Sequence, residues 1–126
     1  MTIAVVAAVI MDDDRYLVTK RPPGVHLEGM WEFPGGKVAA DETHVAALRR
    51  EIREELDADV VVENLLLTTT HHYADRSVTL FFYRCTLAGV PTPLLGQEVR
   101  WVSRAELPVL GFPPADDDLI KLLLQA

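Results

Sequence analysis

Between Thr43 and Leu56 the residues Val45, Leu48, Ile52 and Leu56 recur at three- and four-residue steps, the spacing of one apolar face on an α-helix. Such a helix needs an apolar partner, and the rest of the chain supplies strands. Residues 3–11 and 16–20 are apolar runs split by Asp12-Asp13-Asp14-Arg15, the pattern of a hairpin. A loop punctuated by Pro22, Pro23, Gly24 and Gly29 leads to a short aromatic stretch, 30–33, that ends at Pro34-Gly35-Gly36. Beyond the helix, 60–62, 65–70, 77–87 and 99–102 read as strands. Residues 105–107 read as a helical turn. Pro113-Pro114 then precedes a C-terminal helix over 116–125 with acidic residues at its start. Strands, helix, strands, helix, with no repeat or low-complexity linker, predict an α/β fold: a mixed sheet sandwiched between helices. At 126 residues the chain is expected to form one domain, 1–126.

Charge narrows the function classes. The formal net charge of −7 excludes tight binding to long nucleic acid, where basic patches dominate affinity. It leaves small phosphate ligands open, since bound divalent cations reverse the local field. Cys85 is the only cysteine, too few for a disulfide framework or a cysteine metal cluster, so a cytoplasmic location is expected. Within Phe81-Phe82-Tyr83-Arg84-Cys85 it reads as a buried strand residue. The apolar opening lacks a basic leader and falls short of the ~20 residues of a membrane helix, so no membrane partner is expected.

On the helix, Glu51, Glu54 and Glu55 stand at i, i+3 and i+4 and share a face that borders the core. Like charges so close call for a cation, and oxygen donors suit Mg²⁺ or Mn²⁺. Alone, this pattern also describes a solvated, charged helix face paired to Arg50 or Arg53. Its surroundings decide. From Gly36 there are five residues to Glu42 and seven more to Arg50-Glu51-Ile52-Arg53-Glu54-Glu55-Leu56-Asp57-Ala58. This resembles the Nudix box, G-x5-E-x7-R-E-U-x-E-E-x-G-U, with U bulky and aliphatic, and matches at every position through Glu55. Asp57 stands where the family has glycine, a position at the helix end where positive φ is expected and aspartate is tolerated. Ala58 replaces the last aliphatic residue.

The resemblance implies the Nudix fold and a hydrolase in which Glu54 and Glu55 are metal ligands, Glu51 a further ligand or base, and the Gly35 carbonyl a donor from the loop. Arg50 and Glu42 would orient the acids. Outside the box the chain is similar to the MutT-like branch at Glu32-Phe33-Pro34-Gly35-Gly36-Lys37, at Arg21 with His26, at Asp75-Arg76, and at Phe112-Pro113-Pro114-Ala115. Arg21, His26 and Lys37 are then candidates for phosphate contacts, and Tyr73 and Trp31 for stacking on a base or for core packing. His71 and His72, adjacent in a strand, would face opposite sides at the pocket edge or surface. A late acid common in this branch falls on Leu95, which cannot serve, so Glu98 is nominated in its place. Asp116 stands where the branch reads the base with asparagine. Ionised it only accepts hydrogen bonds; with a raised pKa it keeps a proton and also donates. It is equally placed to cap the C-terminal helix. The expected activity is hydrolysis of a nucleoside triphosphate, oxidised or modified such as 8-oxo-dGTP or a cytosine nucleotide, to monophosphate and pyrophosphate. A nucleotide-sugar or dinucleoside polyphosphate hydrolase and a non-catalytic nucleotide-binding Nudix domain are the alternatives. The partner is a small nucleotide, with the chain a monomer or homodimer.

Overall fold

In the computed structural model, which describes residues 1–125, the apolar opening forms β1 (Thr2–Asp12), which turns into β2 (Arg15–Lys20). Asp13 and Asp14 link them with φ of 51° and 61°, the pair of positive dihedrals that lets a two-residue turn follow the twist of a hairpin. After the loop come β3 (Trp31–Glu32), β4 (Gly35–Lys37) and the helix α1 (His44–Leu56). β5 (Asp59–His72), β6 (Ser77–Ala88) and β7 (Glu98–Ser103) follow, then 3₁₀ turns at Arg104–Glu106 and Pro114–Asp116, and α2 (Asp117–Leu124).

The strands form a mixed seven-stranded sheet. β1 is central: β6 runs parallel to it from Thr2↔Ser77 to Ile10↔Cys85, and β4 lies antiparallel on its other edge. β5 pairs antiparallel with β6, while β7 lies along β2 from Arg15↔Ser103 to Lys20↔Glu98. Both faces are covered, so β1 reads as a continuous apolar run rather than an alternating one. Val6, Ala8 and Ile10 face Leu48, Ile52 and Leu56 of α1. Ala7 and Val9 face the opposite core with Phe33, Phe82, Leu119 and Leu123, the last two from α2. The α/β architecture expected above, a mixed sheet between helices, is the one observed.

Several expected details differ. Val45 is 46% exposed, and Ala47 is buried in its place. At about 100° per residue Val45 shares the face of Ile52 and Leu56, but it stands in the first turn of α1, ahead of the first buried residues, Ala47 and Leu48. Residues 60–62 and 65–70 belong to one strand, β5, whose register shifts near Asn64 and Leu66 mark β-bulges. Gly35–Lys37, expected as loop, pairs with Val5–Ala7 as β4. The C-terminal helix begins one residue late, at Asp117. Cys85 is buried and its thiol is pushed up to about 12, chiefly by desolvation, which leaves it inert. Among the described residues no helix is long and apolar enough to cross a membrane.

Candidate active site

The site is built where β4 passes the last two turns of α1. Thr43 starts the helix by accepting a hydrogen bond from the Ala46 N–H, and Asp57 ends it at φ 50°, ψ 44°, its N–H donating to the Arg53 carbonyl. The aspartate thus takes the left-handed conformation expected of the family glycine. Gly35 and Gly36 are needed for close approach. A methyl group added at Gly35 would overlap the Val6 carbonyl, and one at Gly36 would overlap the Glu51 carboxylate.

The three helix acids are graded in exposure. Glu55 is 9% exposed and sits within the buried stripe. The Glu51 side chain is 16% exposed and that of Glu54 58%. Arg50 gathers its neighbours: its guanidinium reaches Glu42 at 2.8 and 2.9 Å, Glu51 at 2.9 Å, Glu54 at 3.4 Å and the Lys37 carbonyl at 3.1 Å. These bonds, with the Ala39 N–H, hold the Glu42 carboxyl down to about 2 and drive the Arg50 pKa further up. Glu55 has no such partner. Burial first, then a hydrogen bond to Glu51 and the charges of Glu51, Glu32 and Glu54, push it up to about 9. Like charges forced together in a poorly solvated place oppose ionisation of the more buried carboxyl, Glu55. Arg50 draws Glu51 and Glu54 toward itself, and among the described residues no three acidic, histidine or cysteine side chains are placed to hold a metal ion together.

Two clefts meet beside these acids. One is lined by Glu51, Glu54 and Glu55 on one side and by Val25, Leu95 and Gln97 on the other. The second is largely apolar, with Phe33, Leu80, Phe82, Tyr73 and Asp116 in its walls. Arg21, Glu32 and Gly35 line both and form the partition. Arg21 donates to Glu32 at 2.8 Å and to the His26 carbonyl. Burial raises the Glu32 pKa against the lowering effect of Arg21. Asp116 is 7% exposed. Its carboxyl is pushed up to about 7 by desolvation, then by the charges of Glu32 and Asp117. It makes no capping bond to α2, because its backbone is already helical and its side chain is turned into the cleft.

Glu51, Glu54, Glu55, Arg50, Gly35, Arg21, Tyr73 and Asp116 are therefore brought together. Three nominated residues are not. Glu98 faces away from the acids, pairs with Arg100 at 2.7 Å and sits on an exposed strand surface, because its neighbour Gln97 takes the inward position. His26 and Lys37 are exposed and line neither cleft; their carbonyls, not their side chains, contact Arg21 and Arg50. Trp31 is core, 6% exposed, with the Arg100 guanidinium 4.8 Å from its ring centroid. His71 packs edge-on against Tyr73, and His72 bonds Ser77 at 2.7 Å. Glu32 and Gln97 were missed. Glu32 stood in view beside Pro34-Gly35-Gly36, but only the fold puts it between the clefts.

The family profile described as NUDIX domain matches residues 5–122. The chain is 36% identical to the 8-oxo-dGTP diphosphatase of Haemophilus influenzae over 124 residues, 97% of this chain and 91% of that protein. It is 32% identical to the CTP pyrophosphohydrolase of Escherichia coli over 123 residues, again 97% and 91%. Among solved structures, the DNA mismatch repair protein MutT (family Nudix hydrolase) of methicillin-resistant Staphylococcus aureus superposes with a TM-score of 0.81 at 40% identity. The match covers 99% of this chain and 97% of that one.

Proposed function

This chain belongs to the Nudix hydrolase family, and from that premise we propose a Mg²⁺-dependent pyrophosphohydrolase that converts a nucleoside triphosphate to monophosphate and pyrophosphate. One observation carries the reading: an acidic cleft and an apolar cleft share the partition Arg21, Glu32 and Gly35. A nucleotide is the ligand with one end for each, phosphates beside the acids and base in the apolar walls.

The donor set fits a hard divalent cation. Glu51, Glu54, Glu55 and the Gly35 carbonyl are all oxygen donors, as Mg²⁺ or Mn²⁺ prefers. Burial and the neighbouring charges of Glu51, Glu32 and Glu54 oppose ionisation of Glu55, an opposition that a bound cation would relieve. Bound there, the ion would neutralise phosphate oxygens and open phosphorus to attack by water. The chain's own groups do the rest. Arg50, fixed by Glu42, holds Glu51 and Glu54 in position. Arg21 exchanges Glu32 for a phosphate oxygen. Glu54, the most exposed carboxylate, or Glu51 beside it, accepts the proton of the attacking water.

Asp116 reads the base, with Tyr73 stacking at the rim. Held near pH 7, its carboxyl offers donor and acceptor when protonated, which complements the N7–H and O6 edge of 8-oxoguanine. Ionised, it accepts from the cytosine amino group. The two curated relatives, an 8-oxo-dGTP diphosphatase and a CTP pyrophosphohydrolase, span the same two choices. The biological role is removal of oxidised or modified precursors from the nucleotide pool. Turnover of dGTP, 8-oxo-dGTP, dCTP, 5-methyl-dCTP, ADP-ribose and a dinucleoside polyphosphate with Mg²⁺, read by phosphorus NMR against a chelator control, tests the proposal. Pyrophosphate and monophosphate from one or two of the triphosphates is the expected result. Reaction of the diphosphate-linked compounds alone would overturn it.

A further inference from the structure

Gln97, just ahead of β7, is 8% exposed, and its amide is bonded in two directions. Nε2 donates to the Glu55 carbonyl at 2.9 Å, and Oε1 accepts from the Leu95 N–H at 2.8 Å. The carbonyls of a helix's last turn have no partner within the helix. In α1 those of Glu55 and Leu56 find theirs in the segment that follows β6. Leu94 N–H donates to the Glu55 carbonyl at 3.0 Å and Thr92 N–H to that of Leu56 at 2.7 Å. Gln97 is the side chain in this tie, and it joins residues far apart in sequence across the acidic cleft it lines with Leu95.

A staple that only fixed the loop would need no more than the bond to Leu95. The donor end goes instead to the backbone of Glu55, whose carboxylate is the most buried of the helix acids. A buried amide is tolerated only when its polar atoms are satisfied, and here donor and acceptor each have one partner. Apolar side chains of similar size offer neither bond. Leu95, 59% exposed, is held to the same frame, so both walls of the cleft are set by one group.

We infer that Gln97 is a positioning residue for Glu55. Its amide fixes the end of α1 so that the Glu55 carboxylate stays beside Glu51 in the cleft. The inference rests on the cation-binding role proposed for that cleft.

Mn²⁺ binding to the whole protein, followed by the EPR signal of free Mn²⁺, tests it without turnover. Gln97→Met keeps the volume and removes the amide; Gln97→Ala serves if the methionine variant folds poorly. Leu123→Ala, in the core on the other side of the sheet, is the control for general destabilisation. Loss of partners that orient metal ligands commonly weakens metal binding about 10–100-fold. The expected result is a Kd for Mn²⁺ raised about tenfold or more in Gln97→Met, with the metal needed for half-maximal turnover raised alike. The nucleotide KM at saturating metal stays within about twofold, and Leu123→Ala leaves the Kd where it was. A Gln97→Met Kd within about twofold of the native one, or an equal shift in Leu123→Ala, overturns the positioning role alone. A native chain that binds no Mn²⁺ overturns the cleft's cation-binding role, and the inference with it.

Discussion

Asp116 carries a charge that folding opposes. Its folded pKa of about 7 lies above the ordinary 3.8, through burial and then the charges of Glu32 and Asp117; Arg21, in the same cleft, is already paired with Glu32. A raised carboxyl pKa means the native state holds its proton longer than the unfolded chain. This group's stabilising protonation is therefore complete below about pH 4 and lost as pH rises to about 7. Asp116→Asn removes the titration, so the stability of the variant relative to the native chain should grow by about 2 kcal/mol or more between pH 4 and pH 8. A flat difference in urea midpoints would refute the assignment. The ratio of kcat/KM for 8-oxo-dGTP over dCTP should likewise fall from pH 6 to pH 8 in the native chain and stay level in Asp116→Asn. Adjacent glycines separate fold from site. Gly35→Ala meets backbone of β1 and should cost roughly 3 kcal/mol. Gly36→Ala meets the Glu51 side chain, which can move, so its melting temperature should stay near native while activity falls. Equal melting losses would contradict the distinction. Of these residues Asp116 was legible by its place after Pro113-Pro114-Ala115. Its proton stood there only as one of two alternatives, because the shift comes first from burial and then from Glu32 and Asp117, and the fold sets that burial and brings Glu32 close.

The ends of α1 show how far local chemistry carries. Thr43 and Asp57 cap it as their residue types suggest; the helix was readable from spacing, and the hairpin and the long β6 strand from residue type. Asp57 pays a conformational cost that glycine avoids at positive φ. Asp57→Gly should therefore raise stability by about 0.5–1 kcal/mol, measured by denaturant unfolding, with metal dependence unchanged; a loss of stability would mean the aspartate side chain contributes more than its backbone costs. What stayed illegible was set by pairing between elements. Whether Gln97 or Glu98 points at the acids depends on the register of β7 against β2, where Lys20 meets Glu98, and a one-residue change would reverse them. The short β4 strand exists only because β1 offers an edge to it, and its glycines carry no strand preference of their own. Val45 was misjudged for the same reason, since it shares the apolar face of α1 but stands ahead of the first residues buried there, Ala47 and Leu48.

For the molecule as a whole, cation binding and stability are linked. A ligand that binds only the folded state adds about 2.7 kcal/mol at a concentration 100 times its Kd. Mg²⁺ should thus raise the melting temperature of the native chain, and chelator should reverse the gain. Glu54→Gln should lose most of that shift together with about 100-fold or more of kcat. An undiminished shift with full turnover in the variant would remove Glu54 from the site. The sheet places the acids on a frame anchored at β1, whose partner β6 begins at Ser77. β1 is therefore synthesised well before the strand that covers its edge. At roughly 5–20 residues per second of translation, the apolar Thr2–Asp12 strand waits several seconds outside the ribosome before Ser77–Ala88 emerges to cover its edge. During that interval its edge is bare, so a nascent chain stalled short of Ser77 should aggregate or engage chaperones more readily than the released chain.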